Sequence, residues 1–172
     1  MSLSYICTSM KKLIPTLFFT AFSFLLFAQT HSGKIIAIKD GDTVVMLVKD
    51  KQQTIRLAHI DTPEKKQPYG TAAKKYLSDR IFGRQVQAVI AGKPDRNGRW
   101  IAEIFSQNQN INKELVRNGL AWHYKQYSKN DNYAALERIA RQKKTGLWKD
   151  QGPIAPWQWR KMKKGKSAKV NL

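Results

Sequence analysis

The chain of 172 residues suits one domain with extensions, long enough to bury a real core without covalent staples. Its 31 basic and 12 acidic residues leave a formal net charge of +19, an excess that folding does not need and that draws the chain toward polyanions, either nucleic acid or anionic membrane. The lone cysteine, Cys7, excludes a disulfide framework and thiolate metal sites.

The N-terminus reads as an export signal. Lys11 and Lys12 precede Leu13 to Phe27, an uncharged run of about 15 residues that falls short of the ~20 needed to span a bilayer. Cleavage is expected near Ala28, although Leu26 at the −3 position departs from the small-x-small pattern. Met10-Lys11-Lys12 makes a more typical start than Met1, which marks residues 1–9 as a start-site artefact. An uncleaved membrane anchor is the alternative.

A strand-rich stretch follows. Lys34 to Lys39 is apolar and β-branched, Asp40-Gly41-Asp42 is a turn, and Thr43 to Val48 is a second strand. The run Val44 to Val48 is apolar on both faces, which leaves its register open. Gln53 to Ala58 makes a third strand, with Ile55 and Leu57 alternating against Thr54 and Arg56. His59 to Pro68 is a polar loop. A helix is expected over Gly70 to Phe82, with Ala73, Tyr76, Leu77 and Ile81 on one face and Gly83 closing it. Arg84 to Ala91 and Trp100 to Phe105 are strands four and five, joined by the turn Lys93 to Gly98. Asn112 is expected to cap a short helix ending at Gly119, and Asp131 a longer one with Tyr133, Leu136, Ile139 and Ala140 inward. From Gln151 the chain is Pro- and Trp-rich and then ends in a basic tail, expected to be a flexible phosphate-binding arm or a solvated or partly disordered extension with Trp157 and Trp159 packed on the barrel.

The expected organisation is a signal over 1–28, a folded domain over 29–150 and an extension over 151–172. Five short strands with a helix between the third and fourth predict a mainly β, α+β fold: a five-stranded OB-type barrel with about three helices.

Two loop segments carry acids in an otherwise basic chain: Asp40-Gly41-Asp42-Thr43 and Asp61-Thr62-Pro63-Glu64. Taken alone, each is also an ordinary turn signature. Clustered carboxylates should repel phosphate unless a hard cation sits among them, and oxygen donors suit calcium or magnesium rather than zinc. The scattered His31, His59 and His123 have no metal-ligand spacing. Arg56 precedes the second acidic segment and Arg99 closes the turn from Asp95. Phosphoryl transfer needs guanidinium-type neutralisation and a base for water, for which Glu64 is the candidate.

The ordered motifs Asp-Gly-Asp-Thr (40–43), Arg-Leu-x-x-Ile-Asp-Thr-Pro-Glu (56–64), Asp-Arg-x-Gly-Arg (95–99) and Leu-Val-Arg-x-Gly-Leu-Ala (115–121) resemble the staphylococcal-nuclease (thermonuclease-like) family over roughly Gly33 to Trp148. The resemblance implies one calcium ion held by the carboxylates of Asp42 and Asp61 and the carbonyl of Thr62. It implies Glu64 as general base and Arg56 and Arg99 as phosphate-binding catalytic residues. By position it adds Arg96, Tyr124 and Tyr127 on the substrate side, with ordinary packing as the other reading of the tyrosines. The implied activity is hydrolysis of DNA and RNA to 3′-phosphates by a secreted or periplasmic enzyme, with a monomer as the default. Two features depart from the pattern: a shorter loop after Glu64, and Asn97 where an aromatic is common. The competing reading is a non-catalytic nucleic-acid-binding barrel, which would need no such acids. A third is a basic protein that binds anionic membrane or cell-wall polymers.

Overall fold

A computed structural model describes residues 29–170, with side chains to Lys163. The expected export signal and its cleavage site lie outside the described residues.

The β-branched runs form strands much as their patterns predict. In chain order these are β1 (Gln29–Ile38), β2 (Thr43–Val48), β3 (Lys51–Leu57), β4 (Ile60–Asp61), β5 (Gln85–Ile90), β6 (Trp100–Ser106), β7 (Gln109–Asn110) and β8 (Trp122–His123). The helices are α1 (Gly70–Ile81), α2 (Ile111–Arg117), α3 (Asp131–Gln142) and α4 (Pro156–Val170), with a 3₁₀ turn over Gly146–Lys149.

The main sheet runs β3-β2-β1-β5-β6-β7, and a parallel pairing of β3 with β6 (Ile55 opposite Trp100, Leu57 opposite Ala102) closes five of its strands into a barrel. Together with the helices, the closed mixed barrel is the expected OB-type α+β fold. Pairing fixes the register that the apolar run of β2 left open: Thr43 faces Arg56 and Val44 faces Ile55. Val44, Met46, Ile55, Leu57, Leu77 and Ile104 fill the barrel, each 0–1 % exposed. Helix α1 plugs one end through Ala73, Leu77 and Ile81.

Four details differ from the sequence reading. Asn110, not Asn112, caps α2 by accepting from the Lys113 amide at 3.0 Å. Asn112 is fully buried, accepting from the Ile104 amide at 3.0 Å and donating to the carbonyls of Ala58 at 3.0 Å and Ala102 at 3.1 Å, so it staples the β3–β6 seam. Asn130 rather than Asp131 caps α3. The buried face of α3 is Tyr133, Glu137 and Ala140, while Ile139 is exposed; Glu137 can be buried because Arg141 and Lys125 both pair with it. The fourth difference is the C-terminal segment. It is a helix, α4, started by Pro156, whose missing N–H costs nothing at a first helical position. Trp157 packs near-parallel on Tyr124 (5.4 Å between centroids) and edge-on to Trp122 (5.6 Å).

Candidate active site

Chain geometry brings the two acidic segments together. The turn after β1 lies against Thr62 because Gly41 has no side chain: a Cβ there would meet Thr62 Oγ1 at 2.7 Å and the Ala73 methyl at 2.9 Å. Asp42 Oδ2 accepts from the Thr62 amide at 2.9 Å, and the Asp42 carbonyl accepts from the Leu57 amide at 2.8 Å. Gly70 does the same for the loop after β4, since a Cβ at that position would collide with the Glu64 carbonyl. Gln67 fixes that loop further. Its side-chain oxygen accepts from the Glu64 amide at 3.1 Å, and its nitrogen donates to the Ile154 carbonyl at 2.6 Å, tying the loop to the segment that leads into α4.

Arg56, opposite Thr43 on the barrel, sits between the carboxylates. It reaches Asp42 Oδ2 at 2.9 Å and Asp61 Oδ1 at 2.8 Å, and donates to the carbonyls of Leu57 and Ile60. The second oxygen of Asp61 is taken from an unexpected direction. Arg160, on α4, reaches Asp61 Oδ2 and Glu64 Oε1, each at 2.8 Å. Burial pushes the Asp61 carboxyl above its ordinary range, even though Arg160 and Arg56 pull it down. Burial and the neighbouring Asp42 charge likewise push Asp40 up to about 6. Arg56 and Arg160 are the cations that balance the buried carboxylates here.

Asp42, Arg56, Asp61 and Thr62 are therefore in mutual contact, and Glu64 joins them through Arg160. Arg99 does not join. Its guanidinium pairs with Asp95 at 2.7 Å, and it lines an open trough shared with Lys39, Asp40, Thr43 and Gln53. Arg96 is exposed on the same turn. Tyr124 packs between Tyr127 and Trp157, and burial together with the Asp61 charge raises its hydroxyl pKa, while Tyr127 is open to solvent. Arg160 was missed from sequence. The available signal was Pro156 as a helix start with Trp157 and Arg160 three apart, which places both on one helical face.

The donors gathered here are oxygens of carboxylates and backbone, chemistry that fits a hard divalent cation. Among the described residues, no three or more His, Cys, Asp or Glu side chains form a ready-made ligand set. Guanidinium groups stand between the carboxylates instead.

An acid-and-arginine cluster on the rim of a small closed barrel defines a site for handling phosphate esters. The staphylococcal nuclease homologue family matches residues 54–150. An uncharacterized endonuclease of Haemophilus influenzae is 43 % identical over 137 residues, covering 79 % of this chain and 76 % of that protein. One from Escherichia coli O157:H7 is 37 % identical over 155 residues, covering 90 % and 100 %. A micrococcal nuclease of Shigella flexneri is 36 % identical over 143 residues, covering 77 % and 82 %. The chain belongs to the staphylococcal nuclease family. It is a nuclease, a hydrolase of phosphodiester bonds.

Proposed function

We propose a calcium-dependent nuclease that cuts both DNA and RNA and leaves 3′-phosphates. The observation that carries this reading is the pair of buried carboxylates, Asp42 and Asp61, bridged by Arg56 beside the Thr62 backbone in a chain with net charge +19. A non-catalytic binding barrel has no use for acids at the surface that meets phosphate.

Asp42, Asp61 and the Thr62 carbonyl would hold the ion, which supplies Lewis acidity and a template for the phosphate. Glu64 takes a proton from the attacking water as the P–O bond to the 5′ oxygen breaks. The departing 5′ oxygen takes up a proton, and the new phosphate stays on the 3′ side. Arg56 and Arg99 hold the phosphoryl oxygens, more tightly as charge builds on them. Arg96, Tyr124 and Tyr127 face the remainder of the strand.

The same proposal extends to a secreted or periplasmic monomer. The basic, then apolar, run from Lys11 to Phe27 supports export, and the monomer is the default. N-terminal sequencing of the exported protein and its sedimentation mass check both points.

The deciding experiment digests plasmid, single-stranded DNA and RNA with the protein, in calcium and in excess chelator. Cutting should require calcium, and Glu64→Gln should reduce turnover by about two to four decades while keeping substrate affinity. Tight binding without cutting, from a folded preparation, would favour the binding module.

A further inference from the structure

We propose that Arg160 is a resident counter-cation of the carboxylate site, competing directly with a divalent metal ion for Asp61 and Glu64, so that α4 must loosen its hold before the ion is seated. The inference rests on the reading of Asp42 and Asp61 as metal carboxylates.

Charge comes first. Asp42 and Asp61 are 5 % and 1 % exposed, and Arg56 alone supplies one positive charge to the two of them. Arg160 supplies a second positive charge. Its NH2 group meets Asp61 Oδ2 at 2.8 Å and its NH1 group meets Glu64 Oε1 at 2.8 Å. Asp61 Oδ1 is already taken by Arg56 at 2.8 Å, so both oxygens of Asp61 carry a guanidinium. A divalent ion drawn to the same oxygens meets like charge at contact distance, and binding of one weakens binding of the other by the same factor.

The two arginines are held very differently. Arg56 comes from a barrel strand, its side chain is 14 % exposed, and it also bonds two backbone carbonyls. Arg160 comes from a helix docked through its first turns, and its side chain and that of Glu64 are each 40 % exposed. What secures α4 is the stack of Trp157 on Tyr124, its edge contact with Trp122, and the Gln67–Ile154 bond just upstream. Lys161, Met162 and Lys163 beyond it are exposed. Arg160 is therefore the releasable cation and Arg56 the fixed one. The contact also takes up Glu64 Oε1, one of the two oxygens of the proposed general base.

Calcium titration calorimetry on the full chain, without nucleic acid, tests this. Arg160→Gln should bind calcium about tenfold more tightly than the unmodified protein. Trp157→Ala, which keeps Arg160 but removes the stack that anchors α4, should move affinity in the same direction by a smaller factor. Lys65→Gln makes the same charge change at an exposed neighbour of Glu64 and should stay within about twofold at physiological salt. Hydrogen exchange supplies a second readout: saturating calcium should lower amide protection over residues 157–163 in the unmodified protein. Equal or weaker calcium binding by Arg160→Gln, or protection of α4 unchanged by calcium, would overturn the proposal while leaving the metal site standing. Failure of every protein to bind calcium would remove the metal reading, and this inference with it.

Discussion

The candidate active site has two halves, and they are built on opposite terms. Asp42 and Arg56 are supplied by a barrel turn and a barrel strand and Asp61 by β4, paired with β8, with side chains only 7 %, 14 % and 2 % exposed. Glu64 and Arg160 are supplied by a loop and the last helix, and each is 40 % exposed. The buried half bears the desolvation cost, visible in the raised pKa of Asp61, and has little freedom to rearrange. The open half keeps solvent contact, so its ion pair is cheap to break and reform. The difference separates two kinds of charge: fixed where burial is deep, and freer to change partners where it lies at the rim.

The sharpest way to break this division is Arg56→Met. It leaves two buried carboxylates facing each other without their shared guanidinium, and we expect unfolding free energy at neutral pH to fall by about 3–5 kcal/mol in urea melts. A loss below about 1 kcal/mol would mean that the buried half is not charge-locked. Glu64→Gln should behave oppositely, changing stability by no more than about 0.5 kcal/mol while costing the decades of turnover given above. A stability loss comparable to that of Arg56→Met would merge the halves into one structural network.

Arg99→Ala sharpens the comparison from a third position. Its ion pair with Asp95 is at the surface, its side chain 29 % exposed, so removing it should cost about 0–1 kcal/mol of stability. Turnover should still fall by about 10²–10³, the usual result of losing one donor to the developing oxyanion. If only KM rises, Arg99 is a ground-state clamp on the phosphate and the reaction runs on Arg56.

The barrel was legible because its strands carry β-branched alternation, and Thr43–Val48 appears with the boundaries its sequence suggests. The contacts of Asp42, Arg56, Asp61 and Thr62 were legible as motifs, since the residues that meet lie in two short segments joined by adjacent strands. Asn112 was not, because its partners come from the β3–β6 closure, with Ala58 lying 54 positions away. The inward face of α3 was misjudged at Ile139 and Glu137. Hydrophobic periodicity favours the isoleucine, and only the approach of Arg141 and Lys125 makes the buried glutamate tolerable. Arg160 was hidden by distance as well: it meets Glu64 and Asp61 across 96 and 99 positions, and a basic run in sequence reads as solvated.

The smallest expected effect concerns the seam where β4 meets β8. His123 pairs with Ile60 in that ladder, one residue before Asp61. Its Nε2 lies 3.0 Å from Ser128 Oγ, which lies 2.9 Å from His59 Nδ1. One chain of bonds links His123 Nε2, the Ser128 hydroxyl and His59 Nδ1 while both imidazoles are neutral. A proton on both ring nitrogens of His123 would put one on Nδ1, which is buried without a hydrogen-bond partner among the described residues. Burial accordingly lowers the pKa of His123 below 6.5, with nearby Lys125 and His59 acting the same way and Glu137 opposing. Since the folded pKa is below the unfolded one, this contribution to stability is fully present above the unfolded value of about 6.5 and is lost as pH falls from there through the lower folded pKa. Asp40 and Asp61, whose pKa values are raised, act in the opposite sense, but they are common to the unmodified protein and to His123→Gln. The difference between the two stability curves from pH 7.5 to 5 therefore reports His123 together with His59, which burial also lowers and which shares Ser128 with it, and the unmodified protein should lose more. Parallel curves would mean that the imidazolium is accommodated at the seam and that the barrier to charge in the buried half stops short of β8.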